Sequence, residues 1–207
     1  RSGAEIRNLL RIACDISGID EFDALIKPLH IVMTDLLAGE PVVASSGSLM
    51  DALCASTAIP GVYPPVLVDG RLCHDGGVTE NCSLATAAAL DPDRIIAIDL
   101  SADEIAPTSL RRISNVFERM CQVAISTRLT ADFERFSART PVTLIRPLWA
   151  SRSGTSLLPE LVEVRERAFA AADRLLQRIC EPNGELHVGI FPLPLGEVGP
   201  AEALPGT

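Results

Sequence analysis

Two nearly unbroken apolar runs constrain this chain more than any other feature. They are Arg94–Leu100, RIIAIDL, and Val142–Ile145, VTLI. A strand with one wet face alternates polar and apolar residues. A strand that is apolar throughout must be covered on both faces, which parallel sheets flanked by helices achieve. Thr108 to about Ser137 reads as one long helix between the two runs, with Leu110, Ile113, Phe117, Met120, Ala124 and Leu129 as its stripe. Pro159 to about Cys180 reads as a further amphipathic helix after them. This alternation predicts an α/β fold, a three-layer αβα arrangement on a mainly parallel central sheet. Aromatic residues are only 4% of the chain, so Ala, Leu, Ile and Val must fill most of the core.

The first ninety residues carry shorter signals. Ala4–Ser17 places Ile6, Leu9, Leu10, Ala13 and Ile16 on one helical face, which Gly18 ends. Leu29–Leu36 has strand length, Gly39 marks a turn, and Pro41–Ala44 reads as a second strand. Ser48 is a good N-cap with Asp51 three residues on, for a helix running to about Ala58. The stretch IPGVYPP, residues 59–65, is too rich in proline for regular structure. Asp69-Gly70 between two short apolar runs is the strongest hairpin signal in the chain. Ser83–Leu90 reads as a short Ala-rich helix. The domain is expected over residues 1–180, with 181–207 as a loosely structured, Pro- and Gly-rich tail.

A net charge of −9 argues against nucleic acid as a partner, and any peripheral membrane contact must rest on apolar surface. The six cysteines form no C-x-x-C pair, and His30, His74 and His187 lack metal-ligand spacing to them. Such scattered cysteines read as buried small side chains in a reducing, cytoplasmic compartment. No metal or other cofactor is expected.

Residues 51–81, DALCASTAIPGVYPPVLVDGRLCHDGGVTEN, are the informative stretch. An isolated Asp-Gly-Gly is most often a plain turn. The ordered series is more specific: Ala55-Ser56-Thr57-Ala58, Ile59-Pro60-Gly61, Pro64-Pro65, the Asp69-Gly70 hairpin, Asp75-Gly76-Gly77-Val78 and Asn81. It resembles the second half of the patatin-like phospholipase domain, and the likeness extends over roughly residues 1–180. The resemblance implies cleavage of fatty acyl esters, of phospholipids or related lipids, by a Ser-Asp dyad. The aspartate of the family's D-G-[GA] turn maps onto Asp75, with Gly76 and Gly77 as its supporting turn, whose backbone can take torsions that other residues resist and so present the carboxylate toward the serine. It would act as general base, because a serine hydroxyl is a weak nucleophile until a neighbouring group takes its proton. Loop 59–65 would help line the acyl site.

The sequence departs from the family in one respect. No G-x-S-x-G elbow occurs, and no glycine-rich oxyanion loop precedes a helix. The serine and the N-terminal sheet strand are therefore expected on polypeptide ahead of residue 1, roughly a hundred residues by usual domain size. This chain alone is expected to be inactive, and to associate through an open sheet edge with that segment or with a second copy. The alternative is a non-catalytic patatin-like binding module. His74 abuts Asp75, so the two side chains should diverge on a strand.

Overall fold

The computed structural model describes residues 4–100, 113–148, 158–181 and 183–194. The chain divides into two compact units, Arg1–Leu90 with Thr127–Asp132, and Asp91–Ser126 with Phe133–Thr207.

The first unit is built on a four-stranded sheet in the order β2-β1-β4-β3. Its strands are β1 (Ile31–Asp35), β2 (Glu40–Ala44), β3 (Val66–Val68) and β4 (Arg71–Asp75). All three pairings are antiparallel. This differs from the mainly parallel sheet expected from the sequence. The reason lies in the connections: β1 and β2 are joined by four residues and β3 and β4 by two, far too few for a parallel crossover. β1 is buried at all five positions because it lies inside the sheet, so its apolar composition imitates a parallel strand. Asp69 and Gly70 both take positive φ, 47° and 77°, as a two-residue hairpin turn requires.

Helix α1 (Ala4–Ser17) is followed by helix α2 (Leu49–Ser56), which covers one face of this sheet. Ser48 caps α2, its hydroxyl accepting from the Asp51 N–H at 3.2 Å. Leu49, Ala52 and Ala55 of α2 pack with Ile31, Met33, Val68, Cys73 and Phe22. Burying a side chain such as Leu49 stabilises the fold by about 1.5–3 kcal/mol. Of the α1 face expected to be apolar, Leu10 is half-buried. Cys14 is buried and Arg7 pairs with Asp51 at 3.1 Å, while Leu9 and Ile16 are exposed. Two short helices close the unit, α3 (Gly77–Glu80) and α4 (Leu84–Ala89).

The second unit contains the parallel strands that the apolar runs predicted. They are β5 (Ile95–Ile98), β6 (Val142–Leu148) and β7 (Gly189–Pro194), in that order and all parallel. Between them in sequence lie α5 (Ile113–Ser137) and α6 (Leu158–Ile179). Ala171, Leu175 and Ile179 of α6 pack on Leu193, with Ile145 and Phe191 beside them. Leu129 of the expected α5 stripe is buried, whereas Ile113, Phe117 and Met120 are exposed; Leu110 lies outside the described residues. β7 falls within the stretch expected to be a loose tail. Pro192 and Pro194 obscure it in the sequence, yet proline is tolerated on an edge strand, which β7 is. Among the described residues no helix is long and apolar enough to cross a membrane.

Candidate active site

Asp75 is the last residue of β4, and the chain leaves the sheet directly after it. It pairs with Met33 of β1, so its side chain stands on the face that α2 covers. Its N–H donates to the Ala58 carbonyl just beyond α2, at 3.2 Å. Its carbonyl accepts from the Thr34 hydroxyl at 2.8 Å. The carboxylate oxygen Oδ1 accepts from the Gly77 N–H at 2.8 Å. The side chain is half-buried and lines a depression of about 360 Å³.

The two glycines do not serve as their sequence suggests. Gly76 has φ −65° and ψ −25°, ordinary right-handed backbone, and neither it nor Gly77 has positive φ. What glycine supplies at 76 is clearance. A Cβ there would stand 2.1 Å from the Val32 carbonyl oxygen and 2.6 Å from its carbon, both backbone atoms of β1. Gly77 is less confined: a Cβ would meet the side-chain oxygens of Asn81 and Asp75, each at 3.1 Å. This difference accounts physically for a D-G-[GA] pattern, with glycine needed first and alanine admissible second.

Ser56, Ser83, His30 and Glu80 line the same depression. Glu80 is buried, and both its oxygens are engaged, by the Thr86 N–H at 2.7 Å and the Thr86 hydroxyl at 2.9 Å. It thereby caps α4 in place of Ser83, which takes left-handed backbone with φ 49° and makes no cap bond. Asp35, at the far end of β1, is likewise engaged. Its Oδ1 accepts from the Ala38 and Leu37 N–H groups and its Oδ2 from Arg71. Those two backbone donors, with Arg71 beside them and burial opposing, hold its carboxyl below the usual carboxylate range. Asp99 belongs to the second unit and pairs with Arg146 at 2.9 Å. Asp75 thus differs from these three: no hydrogen bond engages its Oδ2 among the described residues.

His74 diverges from Asp75, as strand alternation requires. It is buried, with Nε2 3.3 Å from the Tyr63 carbonyl and Nδ1 without a hydrogen-bond partner among the described residues. It faces the proline-rich loop rather than the depression. None of residues 59–65 lines that depression. Thr34 and Thr79, which hold the turn from behind, were not visible as site residues in the sequence. Thr34 reads there only as one polar letter in an apolar run.

The family model for patatin-like phospholipase matches residues 3–88. Residues 3–88 are thus similar to patatin-like phospholipases. The match ends two residues before Leu90, the end of the first unit's main segment, and it includes every residue that lines the depression at Asp75. The chain is similar to an uncharacterised NTE family protein of Mycobacterium tuberculosis and to one of Mycobacterium bovis. Each is 43% identical over 93 residues, which is 45% of this chain and 26% of the relative. A second NTE family protein of M. tuberculosis is 33% identical over 69 residues, 33% of this chain and 12% of that protein. The similarity to the first two of these relatives thus spans about a quarter of their length.

Proposed function

We propose that the patatin-like segment belongs to a lipid acyl hydrolase in which Asp75 is the general base of a Ser-Asp dyad. The observation that carries this reading is the state of the Asp75 carboxylate. One oxygen is held by the Gly77 N–H, no hydrogen bond engages the other among the described residues, and Asp75 lines an open depression. A base needs both properties, a fixed direction and a lone pair left for the incoming proton. Other carboxylates nearby, Glu80 and Asp35, have both oxygens engaged and serve as cap and turn.

The nucleophile is proposed on polypeptide outside residues 1–207, since no G-x-S-x-G occurs within them. The serine would enter the depression, give its proton to Asp75 Oδ2 and attack the ester carbonyl. Asp75 would pass that proton to the alcohol as it leaves; water would then give a proton to Asp75 and attack the acyl-serine, and the proton would return to the serine as the fatty acid departs. Fatty acyl esters are the proposed substrates, and the three-layer αβα arrangement belongs to the same reading. The missing elbow also favours a second reading, a patatin-like module without catalysis. Translating the reading frame ahead of residue 1 separates the two.

The test is Asp75→Asn in the full-length protein, assayed on a p-nitrophenyl acyl ester. The substitution keeps size and removes the base. Loss of a basic catalyst costs about 10²–10⁴-fold. Activity within twofold of wild type rejects the dyad.

A further inference from the structure

Two buried hydroxyls lie behind the Asp75 turn, and the dyad does not use them. Thr34 is 3% exposed and Thr79 is 8% exposed. Their Oγ1 atoms are 2.9 Å apart. Thr34 Oγ1 is 2.8 Å from the Asp75 carbonyl, and Thr79 Oγ1 is 3.4 Å from the Gly76 carbonyl.

The proton inventory gives this pair a direction. Each hydroxyl has one proton to donate. The Gly76 carbonyl already accepts the Thr79 N–H at 3.1 Å and the Glu80 N–H at 2.8 Å, so it does not need the Thr79 hydroxyl. The Asp75 carbonyl has the Thr34 hydroxyl as its side-chain donor. Thr34 therefore gives its proton to Asp75, and Thr79 gives its proton to Thr34. The chain runs Thr79 to Thr34 to the Asp75 carbonyl, joining α3 and β1 to the end of β4. Linked hydroxyls of this kind polarise one another and strengthen each bond in a buried setting.

We propose that Thr34 and Thr79 are positioning residues that fix the Asp75 carboxylate for proton transfer. The inference rests on the reading of Asp75 as the base. Three contacts locate the Asp75 backbone: its N–H on Ala58, its carbonyl on Thr34, and the Gly76 approach to Val32. Only the Thr34 contact can be removed by exchanging a side chain without adding bulk. Valine is close in shape to threonine but lacks the hydroxyl, so Thr34→Val leaves the Asp75 carbonyl without that donor and removes one of the contacts that hold the turn. Neither threonine lines the depression, so substrate binding should be spared.

The experiment measures kcat and KM of the full-length protein on p-nitrophenyl butyrate, for wild type, Thr34→Val, Thr34→Ser, Thr79→Val and Asp75→Asn. Thr34→Val is expected to lower kcat by about 10–100-fold with KM within about twofold, the scale of a carboxylate displaced by around 1 Å. Thr34→Ser, which restores the hydroxyl, is expected within about threefold of wild-type kcat. Thr79→Val keeps the Thr34 bond and loses its support, so its kcat should fall between wild type and Thr34→Val. Wild-type kcat in both valine variants, or a Thr34→Ser enzyme as slow as Thr34→Val, overturns the proposal. If circular dichroism finds Thr34→Val unfolded, Thr79→Val and Thr34→Ser decide by the same criteria. If Asp75→Asn is inactive while the valine variants are unaffected, the positioning role fails and the dyad stands. If Asp75→Asn keeps wild-type activity, both fail.

Discussion

Replacing Gly76 by alanine puts a methyl group in place of a hydrogen where the backbone leaves no room. The added Cβ would lie 2.1 Å from Val32 O, whereas real Cβ contacts essentially never fall below 3.0 Å. The turn or β1 must therefore yield by about 0.9 Å, taken from those two distances. β1 cannot yield easily, because it is hydrogen-bonded to β2 on one side and β4 on the other and is buried at every position. Overpacking of this kind costs about 1–3 kcal/mol, with the upper end expected where the obstructing atoms are backbone. For a chain of this size each kcal/mol lowers Tm by about 2–4 °C, so Gly76→Ala should melt about 6–12 °C below wild type. Gly77→Ala is the internal control. Its Cβ meets only the ends of the Asn81 and Asp75 side chains, at 3.1 Å, and alanine gains helix propensity of up to about 1 kcal/mol. Its Tm should stay within about 3 °C of wild type by the same conversion. Differential scanning fluorimetry of the three proteins reads both shifts. Equal melting of Gly76→Ala and wild type, or a larger loss in Gly77→Ala, would refute the clearance argument.

Asp35 makes stability fall in acid. Its folded carboxyl is held below the ordinary value of 3.8, so the charged form is favoured by folding. That contribution is complete above pH 3.8 and disappears as pH drops through the folded value. Asp35→Asn should therefore unfold at lower urea than wild type at pH 7, with the gap narrowing toward pH 3; a gap that widens in acid contradicts this. Burial pushes the Cys54 and Cys73 thiols up from their ordinary value, whereas Cys180 is exposed. Ellman's reagent at pH 8 should label Cys180 quickly and reach Cys54 and Cys73 only in denaturant, and fast native labelling of either buried thiol would disprove their burial.

What the sequence revealed and what it hid divide along a physical line. Features set by one or two neighbouring residues were legible. The Asp69-Gly70 turn, the Ser48 cap and the divergence of His74 from Asp75 all follow from local geometry. The parallel strands β5 and β6 were legible from their apolar runs, although only β6 is buried at successive positions, Val142, Thr143 and Leu144, whereas Ile96 and Ile98 of β5 are exposed. Features set by residues distant in sequence were not. The clearance at Gly76 comes from Val32, forty-four positions earlier, and the hydroxyl on the Asp75 carbonyl comes from Thr34, forty-one positions earlier. Glycine at 76 looked like a torsional requirement because the sequence shows that a side chain is missing without showing what occupies its place. The same limit explains β1, whose apolar letters record burial on both faces but not the direction of its partners.

The contacts that aim Asp75 all come from residues 32–80. The Ala58 carbonyl holds its N–H, Thr34 its carbonyl and Gly77 its Oδ1, while Val32 closes off the space behind Gly76. These elements pack around one apolar cluster, so the direction of the carboxylate is decided when that cluster forms. A base placed by its own sheet does not have to be ordered by the group it serves. Catalytic groups held in advance avoid paying reorganisation at the moment of reaction, which is where fixed geometry contributes most to rate. On the proposed reading, the nucleophile would meet an oxygen already directed toward an open space. The remaining freedom in the reaction would then lie with the serine and the ester, not with Asp75.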